Sequence, residues 1–300
     1  MFTSFNSKII LVALAAVIIC GGFVLYLTRE QANAPAIMEE KIIEEVIIPT
    51  DPKVEIIGTS VEKRIIESYT FGSGDKHLLF VGGIHGGYEW NTVILSYYLI
   101  DYLTLNPKTV PENIQVTIIP SLNPDGLYKV IGKEGRFETT DIISGVDQST
   151  GRFNANGIDL NRNFACKWKP ESSWRGKVVS AGISVFSEPE AKAIQNFVSA
   201  NSPKAVAFLH SQGNAVYGSE CEEGILPETL DIMNAYSKAS SYSAIPSFDA
   251  YPISGDAEGW LASIGIPAIT VELKTHETIE VEQNIAGVKA LIQYYSEKES

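Results

Sequence analysis

Cysteine and histidine are scarce in this chain. Three cysteines in 300 residues exclude a disulfide-dense scaffold and a four-thiolate zinc site. Only four histidines are present, so any imidazole-based site can be enumerated residue by residue. Basic side chains are also short: 23 lysines and arginines face 36 aspartates and glutamates, a formal net charge of −13. Such a balance repels phosphate backbones rather than releasing their counterions, and no nucleic-acid partner is expected. The remainder, 45% hydrophobic and 20% charged, is ordinary globular material with enough apolar residues for a real core.

One long hydrophobic run stands out. Ile9 to Leu27 contains no charge, and a helix of that length rises roughly 28 Å, the thickness of a bilayer core. The run is long for a secretory signal. The one nearby small-x-small site, Ala32-Asn33-Ala34, is followed by Pro35, which disfavours cleavage. An uncleaved single-pass membrane anchor over 9–27 is therefore expected, with Cys20 packed inside it. Lys8 and the amino terminus precede the run, whereas Glu30 offsets Arg29 after it, so the tail 1–8 is placed in the cytoplasm and the acidic body on the extracytoplasmic side. Residues 28–58 read as a stalk. The globular domain is expected over 59–300, as a monomer.

Within the body, apolar runs and helical periodicities alternate. Strands are predicted at His77–Ile84, Ile114–Pro120, Lys204–Leu209 and Pro267–Leu273. Helices are predicted at Trp90–Leu103, Ser187–Ala200 (opened by Ser187 as cap), Pro227–Tyr242 and Ile279–Tyr295, with a loop-rich stretch from Leu127 to Gly157. Strands alternating with helices imply an α/β fold: a mixed, mostly parallel twisted sheet with helices on both faces. Ligands of such sheets gather beyond the carboxyl ends of strands, where His85, His210 and Glu272 all fall.

In Gly83-Ile84-His85-Gly86-Gly87-Tyr88-Glu89-Trp90, a histidine and a glutamate lie about one turn apart, between a strand and a helix. Both can reach one cation. Hydrolytic zinc takes three such ligands plus a water, and His210 is the candidate third. The segment Arg152-Phe153-Asn154-Ala155-Asn156-Gly157-Ile158-Asp159-Leu160-Asn161-Arg162-Asn163-Phe164 then resembles the zinc carboxypeptidases of the carboxypeptidase A, B and T type. The resemblance continues, in family order, through Asn123-Pro124-Asp125-Gly126, Ser187-Glu188-Pro189-Glu190, Leu209-His210-Ser211 and Val271-Glu272-Leu273.

That resemblance implies a role for each matching position. His85, Glu89 and His210 would hold one Zn²⁺ per chain, a ligand set taken from the family rather than from spacing. Asp159 would accept the other ring N–H of His85. Glu272 would be the general base, and Arg152, with Arg136 as substitute, would stabilise the oxyanion. Asn161 and Arg162 would grip the terminal carboxylate of a peptide substrate. Tyr251, in Tyr251-Pro252-Ile253-Ser254-Gly255, would close over that substrate. Glu258, or Asp256 beside it, would line the side-chain pocket and favour a C-terminal Lys, Arg or diaminopimelate.

The chain departs from the family at one point. The usual His-x-x-Glu pair is stretched here by one residue, which Gly86 and Gly87 must absorb if Glu89 is to reach the metal. Cys166 and Cys221 either pair in an oxidising compartment or remain as buried thiols. His77 and His276 are assigned structural or surface roles. The expected activity is that of a membrane-anchored metallocarboxypeptidase; the rivals are a cell-wall peptide or N-acyl amino acid hydrolase of the same fold and a non-catalytic surface peptide-binding protein.

Overall fold

The computed structural model describes residues 24–25 and 49–298. The chain divides into units 1–46 and 47–300, and every element named below belongs to the second. Val24 and Leu25 are helical; the rest of the expected anchor 9–27 and the tail 1–8 lie outside the described residues. Among the described residues, no helix is long and apolar enough to cross a membrane.

The strands are β1 (Lys53–Thr59), β2 (Ile65–Gly72), β3 (Lys76–Val81), β4 (Ile114–Ile119), β5 (Glu171–Trp174), β6 (Lys177–Ser180), β7 (Ala205–Ser211), β8 (Ala215–Gly218), β9 (Glu220–Cys221), β10 (Gly224–Ile225), β11 (Ser243–Ile245) and β12 (Ala268–Leu273). Eight of them form one mixed sheet in the order β1-β2-β4-β3-β7-β12-β8-β11. Its centre, β4-β3-β7-β12, is parallel, and antiparallel pairs join it to β2 on one side and β8 on the other. The helices are α1 (Trp90–Leu105), α2 (Pro124–Ile131), α3 (Pro189–Asn201), α4 (Pro227–Ser240), α5 (Ala257–Ser263) and α6 (Val281–Glu297).

The central strands are apolar at successive positions because both faces are covered. Leu78 and Phe80 of β3, with Ala205, Ala207 and Leu209 of β7, pack against α1, α4 and α6. Their neighbours Leu79, Val81, Val206 and Phe208 point the other way, onto α3 and α5. Each such side chain taken from water contributes roughly 1.5–3 kcal/mol, and this two-sided burial holds the strand ends rigid.

Chain order places the crevice. From β3 the chain crosses to β4 on one side, and β7 later pairs on the other side of β3. The connections diverge there, leaving an opening beyond the carboxyl ends of β3 and β7. His85 follows β3 and His210 is the penultimate residue of β7, with Glu272 beside it in register on β12.

Several boundaries differ from the sequence reading. The expected stalk 28–58 overlaps β1, whose residues Lys53–Thr59 pair with β2, so the globular body begins before residue 59. The start of the predicted loop-rich stretch is helical: α2 runs to Ile131, with the Asn123 side chain accepting from the Gly126 N–H at 2.9 Å. Ser187 is not the cap of α3. That helix starts at Pro189 after Glu188, and the Ser187 hydroxyl instead bonds the Glu188 carboxylate at 2.9 Å.

Cys166 and Cys221 form a disulfide, with Cα atoms 6.0 Å apart across a sequence separation of 55. Closing that loop restricts the unfolded chain. Replacing both cysteines by serine is expected to cost roughly 2–4 kcal/mol, measured as a lower denaturant midpoint at unchanged slope; an unaltered midpoint would show that the crosslink does not stabilise the fold.

Candidate active site

His85, Glu89 and His210 are all buried, and each offers a ligand atom within 4.8 Å of the others. The stretched spacing is absorbed by a tight turn over Gly86–Glu89, whose flanking His85 (φ −96°, ψ 23°) and Glu89 (φ −122°, ψ 44°) are not helical. Gly86 has φ +46°, and a Cβ there would sit 2.7 Å from the Gly151 carbonyl oxygen; one on Gly87 would sit 2.5 Å from Val130. Only glycines allow this close approach to α2 and the 151 loop.

The ring atoms of the triad are poised differently. Burial, reinforced by the nearby Arg152, holds His85 well below the ordinary imidazole range, so it is neutral, the form that binds a metal. Its Nδ1 is buried without a hydrogen-bond partner. His210 lies between two carboxylates: Nδ1 is 3.1 Å from Glu89 Oε2 and Nε2 is 3.0 Å from Glu258 Oε1. Burial opposes its protonation, but Glu89 and Glu258 outweigh burial and raise it well above its usual range. A cation held beside Glu89 would take the place of that proton, with Glu258 still hydrogen-bonded to Nε2. Two imidazoles, one of them with an unpartnered buried ring nitrogen, and a carboxylate make the three-ligand set that zinc would take with a water.

Glu272 Oε2 is also buried without a partner. Burial pushes this carboxyl up to about 7, against the pull of His210 and with a further push from Glu89. A carboxyl near neutrality can take up and return a proton. Arg152 Nε and Nη2 hold Asp159 Oδ2 at 3.0 and 2.9 Å, leaving Nη1 4.0 Å from Glu89 Oε1. Asn123 Nδ2 donates to the Arg152 carbonyl at 3.2 Å, and Asn154 Nδ2 bonds Glu188 at 2.7 Å. The motifs around Asn123 and Ser187 thus brace the loop that carries Arg152.

Asn161 and Arg162 line the same cleft, of about 760 Å³. Asn161 Oδ1 accepts from the Ala257 N–H at 2.8 Å, tying this turn to α5. Arg162 is buried, with Nη1 and Nη2 on the Asn161 and Ser173 carbonyls at 2.6 and 3.3 Å and Nε without a partner. Tyr251 is half-buried at the rim, its ring 4.9 Å from that of Phe248, which lies 5.5 Å from Tyr217. Opposite are Tyr88, Trp174 and His276, with Tyr88 5.2 Å from Trp174 and 4.4 Å from His276 between ring centres.

The structure places five of these residues differently from expectation. Asp159 Oδ1 is 3.6 Å from His85 Nδ1, and its hydrogen bonds go to Arg152 and the Asn161 N–H instead. Glu258 lines the cleft, but its Oε1 is committed to His210 and to the Thr270 hydroxyl at 3.1 Å, so it is not a free acid awaiting a basic side chain. Asp256 caps α5 through the Gly259 N–H at 2.6 Å. Arg136, the substitute for Arg152, is paired with Asp101 at the surface. His77 is structural as expected, bonded to Thr117 at 2.8 Å. His276 is not a bystander: it lines the cleft. Nothing in its sequence context marks it, because its partners Tyr88 and Ser211 are 188 and 65 residues away.

The zinc carboxypeptidase family model matches residues 48–292. Among curated proteins, the chain is 27% identical over 239 residues to gamma-D-glutamyl-L-diamino acid endopeptidase 1 of Lysinibacillus sphaericus, covering 72% of this chain and 59% of that protein. It is 28% identical over 234 residues to mouse (Mus musculus) carboxypeptidase D, covering 68% of this chain and 15% of that protein. Among solved structures, the murein-tripeptide amidase MpaA from Escherichia coli O157 superposes with a TM-score of 0.59 at 21% identity, over 83% of this chain and 94% of the other. Carboxypeptidase A from Helicoverpa armigera gives 0.59 at 19% identity, over 82% and 67%. Those structural likenesses speak to the fold. With the family pattern running from residue 48 to 292 over a crevice that gathers its metal triad, the chain belongs to the zinc carboxypeptidase family, and zinc is the metal that His85, Glu89 and His210 are built to hold.

Proposed function

We propose that this chain hydrolyses the peptide bond before the C-terminal residue of a peptide. The observation that carries this reading is the buried Arg162, its Nε unpartnered, in the same cleft as the metal triad and Glu272. Among the described residues no ion pair closes on this guanidinium, and its free Nε–H can donate to a substrate carboxylate. Zinc held by His85, Glu89 and His210 would supply a Lewis acid for the attacking water and the scissile carbonyl. Glu272 Oε2 takes the proton from that water as its oxygen bonds to the carbonyl carbon. Arg152, braced by Asp159, presents Nη1 to the oxyanion. As the C–N bond breaks, Glu272 returns the proton to the departing amine, and Arg162 with Asn161 holds the residue being released.

Glu272→Gln should lower kcat by roughly 10²–10⁴-fold with KM little changed. Zinc added after chelation should restore the wild type but not the variant. Equal turnover by the two proteins would reject Glu272 as base, and peptide binding without turnover by wild type would leave a binding protein. Arg162→Met should raise KM for a peptide with a free carboxylate and leave its C-terminal amide unaffected; an equal loss on both would remove the exopeptidase reading.

A second reading, hydrolysis of a cell-wall peptide, is supported by three unpaired basic side chains among the ten charged residues of the cleft, five basic and five acidic. Lys167, Lys169 and Arg175 line it, and among the described residues none makes an ion pair, although acids outnumber bases by 13 across the chain. Substrates with several carboxylates suit such a rim. The relative from Lysinibacillus sphaericus is named for a gamma-D-glutamyl-L-diamino acid bond. Membrane anchoring belongs to the same proposal. Its supports are the uncharged run Ile9 to Leu27 and a Cys166–Cys221 disulfide, which persists in oxidising compartments. The full chain is expected in the membrane fraction after alkaline extraction, with its body digested by protease added outside intact cells; a body protected from that protease would reverse the orientation.

A further inference from the structure

Tyr88, the last of the three residues between His85 and Glu89, is tied down from outside the metal triad. His276 sits in the loop after β12, the strand that carries Glu272. Its Nε2 is 3.0 Å from the Tyr88 hydroxyl and its Nδ1 is 2.8 Å from Ser211 Oγ. Tyr88 immediately precedes Glu89, and Ser211 immediately follows His210. One imidazole therefore spans the neighbours of two metal ligands that lie 121 residues apart.

The direction of each bond follows from counting hydrogens. Asn91 Nδ2 donates to the carbonyls of Thr275 at 2.8 Å and Thr278 at 2.9 Å, so its Oδ1 must face Ser211. Ser211 gives its only hydroxyl hydrogen to Asn91 Oδ1 at 3.1 Å. Ser211 Oγ must then accept from His276 Nδ1–H. In the neutral ring, Nε2 is left bare and accepts from the Tyr88 hydroxyl. Every donor in the chain Tyr88–His276–Ser211–Asn91 has one acceptor, and Asn91 and Ser211 are buried. A fully satisfied network of this kind has one arrangement and resists deformation.

We infer that His276 is a positioning residue for the metal site: by joining Tyr88 to Ser211, it sets the distance between Glu89 and His210 and makes good the extra residue in the metal-binding turn. The inference rests on the metal reading of His85, Glu89 and His210. Glycine freedom lets the Gly86–Glu89 turn bend, but by itself leaves many conformations open. The clamp selects the one that brings Glu89 to the metal, so little ordering is left to be done when zinc binds.

The test is zinc affinity of the full chain, by competition with a chromophoric chelator, together with the melting temperature of the zinc-free protein. His276→Ala should weaken zinc binding roughly 10–100-fold. Tyr88→Phe, which deletes one oxygen, should weaken it about 3- to 10-fold with the zinc-free melting temperature unchanged. In the His276→Ala background, Tyr88→Phe should add nothing, since the two form one unit. Should His276→Ala not fold, Tyr88→Phe decides alone. Zinc binding as tight as wild type in both single variants, or fully additive losses, would overturn the clamp while leaving the metal site standing. A wild-type chain that takes up no zinc would overturn the metal reading, and the clamp with it.

Discussion

Charge compensation inside the crevice is the constraint on which the rest of this structure depends. Glu89, Asp159 and Glu258 are buried, and Glu272 points a buried, unpartnered oxygen into the same space. Against these four carboxylates stand the guanidiniums of Arg152 and Arg162. A divalent cation would offset much of the excess negative charge, to which Asp256 on the same lining adds. Without it, His210 must hold a proton between Glu89 and Glu258, and Glu272 is pushed towards neutrality. Isolated buried charges are costly, so a bound metal would relieve the site of protons that it must otherwise hold.

The same constraint separates the roles of chemically identical side chains. Glu258 is held by His210 and Thr270 and orients a ligand. Asp159 is held by Arg152 and keeps one face of that guanidinium occupied, so that Nη1 faces the cleft. Glu272, with one oxygen bound to nothing, is the carboxylate left able to move a proton. Environment, not residue type, assigns the work.

Much of this was legible in the sequence. The central strands could be read because burial on both faces makes them continuous apolar runs, and the ligands His85 and His210 fall where such strands end. The strands β1, β2, β8 and β11 were not legible: β1 is largely exposed and carries no buried run, β2 alternates rather than running apolar, and β8 and β11 derive their conformation from pairing with β12 and with each other. Glu258 was placed in the cleft, where it lies, but its hydrogen bond to His210 was not foreseen. Seven residues after Tyr251 it could face either the substrate or a metal ligand, and the packing of α5 against β7 and β12 turns it to His210.

The amino-acid sequence by itself determined the ligand types, their order, the family pattern and the strand-end positions that bring them to one edge of the sheet. These follow from local chemistry and periodicity, which a linear string records. Only the tertiary structure decided that Glu89 comes within 4.8 Å of the ligand atoms of His85 and His210 despite its extra residue, that Cys166 pairs with Cys221, and that His276 lines the cleft. Each of those depends on contacts between segments 55 to 188 residues apart, and distance in space across such separations is fixed by packing alone.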